Sequence, residues 1–403
     1  MVAEVVLGCC EYGNQSAFEL MQSYYAEHVR AVSRESDFVE AAFQTAIDNN
    51  QTAIIKTLIR KLNLQNQHRS IDFNRMFIKA AEKGLKEIVE SLIDFAVVVN
   101  VRDEKGWTAL HFASLQGNIE LVKLLHRRGG EINGCTFDGL SPLHLAVRGS
   151  LIALMRILRS RGANVHLLRR DGKSLLHTAV ETGNHEVVRE VISYGVRKNL
   201  KTNTKGQTAL HLAAASGHCD IITMWKQRFN FMLDRDKDGN TPLHLIVETG
   251  SLRAVKSVES ALNMFSAHIR NQAGFALIHT AVHRGYKDIL ELLLKHGCSV
   301  DFKGPNSLTA LHLAVIGNHK QIFKCVLQNK ASVNKTCGSG YAPIHYAAEK
   351  TDDYFVRALL RYGADINMRR SHRDSKGETA LHIAATNGLK QNVLTLIGQE
   401  QTI

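Results

Sequence analysis

The 403-residue chain is 44% hydrophobic and has only four prolines, which allows a large buried core and is not the composition of a disordered or collagen-like chain. Its formal charge of +12 favours acidic partners over basic ones, and no apolar run reaches the roughly 18 residues of a membrane span. Seven cysteines without a CxxC pair point to thiols in a reducing compartment rather than disulfides or a zinc site, so a cytoplasmic protein is expected, with nuclear residence also compatible.

The apolar start, MVAEVVLGCC, has no basic flank and contains Glu4, which is not the pattern of a secretory signal. Within residues 1–36, NQSAFELMQSYYAEHVRAV (Asn14 to Val32) has the spacing of an amphipathic helix suited to cap the chain from residue 37 onward. From residue 37 to residue 403 one unit recurs. FQTAIDNNQTAIIKTLI (Phe43 to Ile59) and FIKAAEKGLKEIVESLI (Phe77 to Ile93) open the series, with Gln44 and Ile78 at a marker position. Histidine then holds that position at His111, His144, His177, His211, His244, His279, His312, His345 and His382, mostly 33 residues apart. A period that survives so many copies signals a repeat array rather than separate globular domains.

Each unit reads alike. In KGWTALHFASLQG (Lys105 to Gly117) a short helix ends at a glycine, and NIELVKLLHRRG (Asn118 to Gly129) is a second helix with an apolar stripe. GEINGCTFDG (Gly130 to Gly139) supplies an extended stretch and a tight turn. Such a unit cannot bury its own stripe, so neighbours must stack into a solenoid. The predicted class is all-α: helix-turn-helix units joined by short β-hairpin loops. DKDGNTPLHLIVETGSLRAV (Asp236 to Val255) and SLTALHLAVIGNHKQIFKCVLQNKASVN (Ser307 to Asn334) resemble ankyrin repeats. The resemblance covers about residues 37–403 and implies a protein-binding solenoid without catalytic activity of its own.

The repeated histidine could suggest a metal or acid–base site. A group present in every unit serves the unit, however, and an imidazole near a helix start can bond unpaired turn backbone. The Thr three residues earlier suits the matching cap. No GxxxxGK[ST], GxGxxG, HExxH or GxSxG motif occurs, so neither enzyme chemistry nor a cofactor is expected.

Binding surfaces in such arrays lie on hairpin tips and the adjoining face of the first helices. In ankyrin-like units this implies exposed positions beside the turn glycine and near the end of the first helix. They hold Trp107, Phe137, Leu140, Arg148, Arg170 and Lys173 in three consecutive units, with Tyr341 and Lys350 further along. Residues 101–210 carry 17 Lys and Arg against 9 Asp and Glu. The expected partner is therefore another protein, bound through an acidic, partly apolar segment by a monomeric scaffold or adaptor. Substrate recognition within a ubiquitin-ligase system, or masking of a transcription factor, are the alternatives. The basic residues fall largely at helix ends, where they complement the helix dipole, so nucleic acid is not the expected partner. A further basic loop, NMRRSHRDSKGETALH, carries Arg369, Arg370, Arg373 and Lys376.

Overall fold

A computed structural model describes residues 2–19, 35–65, 72–95, 97–225, 229–262, 268–370 and 377–400. It is 57% helix with no strand among the described residues. Two compact units divide the chain, Met1–Arg197 and Lys198–Ile403.

In the first unit, α1 (Val2–Tyr12) packs on α2 (Glu35–Asp48). Antiparallel pairs come next: α2 with α3 (Thr52–Gln65), α4 (Phe73–Glu82) with α5 (Lys86–Phe95), and α6 (Ala109–Gln116) with α7 (Ile119–Arg127). The last two are α8 (Pro142–Arg148) with α9 (Ile152–Ser160), and α10 (Leu175–Glu181) with α11 (His185–Ser193). The first helices of successive pairs stack on one another. The second unit repeats this with six pairs among its described residues: α12 (Ala209–Ala215) with α13 (Cys219–Thr223), α14 (Pro242–Glu248) with α15 (Leu252–Ser257), and α16 (Leu277–Arg284) with α17 (Lys287–Lys295). They continue through α18 (Ala310–Ile316) with α19 (Lys320–Gln328), α20 (Pro343–Ala348) with α21 (Tyr354–Arg361), and α22 (Ala380–Thr386) with α23 (Lys390–Glu400).

Helices this short do not hold alone in water. Caps and burial sustain them. On α7, the Asn118 side chain accepts from the Leu121 N–H at 3.1 Å, and Leu121, Val122, Leu124 and Leu125 are buried. Each such leucine contributes about 2 kcal/mol on burial. Helix α6 ends at Gly117 with φ 73°, the left-handed C-cap.

The repeated histidine is a structural joint. In His111, Nδ1 accepts from the Thr108 N–H at 3.1 Å and lies 2.8 Å from its hydroxyl. Nε2 is 3.0 Å from the Gly134 carbonyl and 3.1 Å from the Leu140 carbonyl, both in the next hairpin. A backbone N–H only donates and a carbonyl only accepts, so the ring is neutral with its proton on Nε2. Nε2 of His211, His244, His279, His312 and His345 also meets a carbonyl of the next repeat. One ring thus caps its own helix and fixes the neighbouring hairpin. Replacing His211 by Ala removes the Nδ1 contact to the Thr208 N–H and the 3.1 Å contact of Nε2 to Asn240. The expected cost is about 2 kcal/mol of stability, read as a lower urea midpoint, with partner affinity unchanged; a variant that melts like the parent but loses partner binding would contradict this role.

The expected β-hairpins are tighter than a ladder. Most tips close by one bond four residues apart, as from Asp103 N to Trp107 O at 2.9 Å, whereas Thr202 N reaches Gln207 O and Arg370 N reaches Glu378 O. The next bonds run to the neighbouring tip, from Phe137 N to Lys105 O at 3.2 Å and from Arg170 N to Asp138 O at 2.9 Å. Backbone pairing therefore runs between repeats, and a single isolated bridge, Leu168 to Ser174, remains among the described residues.

Two second helices depart from the regular length. Helix α13 spans only five residues, and the chain turns at Trp225, which is buried. Helix α15 ends at Ser257, with a 3-10 turn, Glu259–Ala261, just beyond it. Of the helix expected over Asn14 to Val32, residues 20–32 lie outside the described residues, as do Arg373 and Lys376 of the basic loop.

Candidate protein-binding cleft

A cleft of about 780 Å³ opens in the first unit between α2, α4, α6 and the hairpin that precedes α6. The hairpin is rigid: the Asp103 carboxylate accepts from the N–H groups of Lys105 at 2.9 Å and Trp107 at 2.7 Å. That turn holds the half-buried Trp107 indole against Phe112, with ring centroids 5.0 Å apart and planes tilted 39°. Leu115, one helical turn beyond Phe112, is 39% exposed and extends the apolar floor, with Ile78 on α4 opposite.

The rim is charged in both senses. Asp72, Glu82, Asp103 and Glu104 line it together with Arg75, Lys79, Arg102 and Lys105. Some are engaged: the Asp72 carboxylate caps α4 through the Arg75 N–H at 3.1 Å, and Lys79 lies 3.0 Å from Asp48. Most small-molecule pockets are lined mainly by apolar groups. An aromatic floor bordered by balanced charges suits a polypeptide segment instead, one large side chain seated on the rings and polar neighbours on the rim.

The residues singled out from sequence fall in different places. Trp107 lines the cleft. Phe137 is 62% exposed and covers Gly106 on the preceding tip, its Cδ1 2.8 Å from where a Cβ there would stand. Leu140 is a correction: it is only 7% exposed, tucked under the hairpin whose carbonyl His111 holds. Arg148 ends α8 and Arg170 stands on a tip, both exposed and outside the cleft. Lys173 is not an open positive charge, for its amine lies 2.5 Å from Glu181 and 3.5 Å from Asp171. Arg169 meets the same two carboxylates at 3.3 Å each, so this tip is internally neutralised. Phe112, Leu115 and Ile78 were missed. The readable signal was an aromatic one residue after the histidine with an aliphatic three further on, which share a helix face.

Among the described residues, no group of three or more His, Cys, Asp or Glu could hold a metal ion, and no helix is long and apolar enough to cross a membrane.

The family described as Ankyrin repeats (3 copies) matches in overlapping stretches from residue 76 to residue 403. The chain belongs to the ankyrin-repeat family. Its ankyrin units are 29% identical over 212 residues to the mouse B-cell lymphoma 3 protein homolog, covering 52% of this chain and 39% of that protein. They are 35% identical over 124 residues to pig NF-kappa-B inhibitor alpha, covering 30% and 39%. Identity to the Arabidopsis thaliana E3 ubiquitin-protein ligase KEG is 27% over 319 residues, covering 76% of this chain and 17% of that one. The chain thus spans well under half the length of these relatives. Ankyrin repeats imply protein–protein interaction.

Proposed function

We propose that this ankyrin array is a binding module, a non-enzymatic scaffold or adaptor of the cytoplasm or nucleus, and that it holds a segment of another protein in the cleft at Trp107. The observation that carries the reading is the Trp107–Phe112–Leu115 floor, half-open to solvent inside a rim of four acids and four bases. The segment carries one large apolar side chain between charges of both signs. Masking a transcription factor and presenting a substrate to a ubiquitin ligase are two uses of such a module, in keeping with the names of NF-kappa-B inhibitor alpha and of KEG. The identity of the bound protein separates them.

A photo-reactive benzoylphenylalanine at Leu115 should crosslink that protein. The same residue at Tyr362, which is 53% exposed in the second unit, should not. Trp107→Ala should weaken binding about thirtyfold, the roughly 2 kcal/mol of an aromatic anchor. Crosslinking from Tyr362 alone, with affinity unchanged in Trp107→Ala, would refute the proposal.

A further inference from the structure

The aromatic pair of the cleft has one counterpart in the array. Of the nine repeats with the marker histidine, two carry an aromatic both four residues before it and one residue after it. These are Trp107 with Phe112 in the first unit and Tyr341 with Tyr346 in the second. The tyrosine rings stack with centroids 5.0 Å apart and planes 29° from parallel, closely matching the first pair. Both tyrosines remain half-open to solvent.

The helix-end positions beside the two pairs are exchanged. In the first unit the preceding repeat contributes Glu82 and the aromatic repeat contributes Leu115. In the second the preceding repeat contributes Ile316, 40% exposed, and the aromatic repeat contributes Glu349.

The charge around the two pairs also differs. At the tyrosines, the Arg370 guanidinium lies over the Tyr341 ring, 4.3 Å from its centroid, and 3.4 Å from Glu378. Lys350 donates to the Ile316 carbonyl at 2.9 Å, which leaves its charge without a carboxylate among the described residues. Exposed Arg369 likewise meets no carboxylate among them. Arg370 and Lys350 thus border the tyrosines, with exposed Arg369 next to Arg370 in the chain, against Glu378, which is engaged, and exposed Glu349.

We propose that the Tyr341–Tyr346 face, bordered by Arg370 and Lys350 with exposed Ile316 and Arg369 adjoining them, is a second docking surface, which receives an acidic protein segment carrying an apolar side chain. The apolar group seats on the tyrosine rings beside Ile316, and its carboxylates meet Lys350 and Arg369. The acidic partner suggested by the chain's net charge is thus directed to the second unit, because Arg169 and Lys173 in the first are already neutralised.

The test is selection of random 12-residue peptides displayed on phage, with the full chain as bait. The parent and Trp107→Ala should both enrich peptides that place a Leu, Phe, Met or Trp among several Asp or Glu. Tyr341→Ala and the surface variant Lys350→Glu/Arg369→Glu should lose them. With the best synthetic peptide, Kd should rise at least tenfold in each of these two variants, and replacing its acids by Gln should do the same. The charge-reversal variant alters exposed or half-exposed side chains and should keep the parent's Tm, so the result does not rest on Tyr341→Ala folding well. Absence of an acidic apolar consensus overturns the proposal. So does equal recovery by Tyr341→Ala, or displacement of the peptide by single-stranded DNA at equal charge concentration, which would show a plain polyanion patch. Loss of the acidic peptides in Trp107→Ala but not in Tyr341→Ala would place them in the first cleft and overturn the second.

Discussion

Mild acid should unfold this protein steeply between pH 6.5 and pH 4. Burial lowers the pKa of His111, His144, His279 and His312 to about 4, and lowers those of His211, His244 and His345 as well. All seven side chains are at most 2% exposed. In the unfolded chain each titrates near its ordinary value of about 6.5. Above that value both states are neutral and the full stability is present. Between the two values the unfolded chain binds protons that the native rings refuse, so stability falls as pH falls. Each ring costs about 1.4 kcal/mol per pH unit, so the four lowest alone remove about 5 kcal/mol per unit on an order-of-magnitude reckoning. Carboxylates held low by partners, such as Glu190 by the Arg156 guanidinium, act in a lower window. The far-ultraviolet circular dichroism melt at pH 5 should lie far below that at pH 7. A Tm that barely moves between those values would contradict the histidine joint.

The next largest effect should come from Gly139→Val. Gly139 has φ +78°, and a Cβ there would stand 2.9 Å from Arg169 Cα, 2.9 Å from Arg170 N and 3.0 Å from Leu168 O. All three are backbone atoms of the next hairpin and cannot swing away. Valine adds left-handed strain and pushes apart the tips that Arg170 N and Asp138 O join at 2.9 Å. The expected loss is about 3 kcal/mol or more. Gly129 has φ +89° with nothing within 4 Å of its Cβ position, so Gly129→Val carries the strain alone. Urea unfolding should rank Gly139→Val as clearly the worse. Equal losses would mean that contact between tips adds nothing.

The repeat fold was legible because period, turn glycines and marker histidines agree, and each reports a constraint that every unit shares. Single side chains were harder to place. Leu140 occupies the same position in its unit as Trp107, yet its smaller side chain sinks under the hairpin, whereas the indole reaches Phe112. Lys173 reads as an exposed cation until the fold brings Glu181, eight residues away, to its amine. The cleft needs α2 and α4, whose marker positions hold Gln44 and Ile78 rather than histidine, so the repeat pattern is weakest on one of its walls.

The most direct test of the binding account uses the chain's two tryptophans. Trp225 is 2% exposed and its indole N–H finds no partner among the described residues, so Trp225→Phe removes an unsatisfied donor and should fold. Trp107 is then the only indole, and acrylamide quenching of its fluorescence reports access to the cleft. Saturation with the crosslinked partner protein should cut the quenching constant several-fold and shift the emission to shorter wavelength. Unchanged quenching at saturation would show that the partner binds elsewhere.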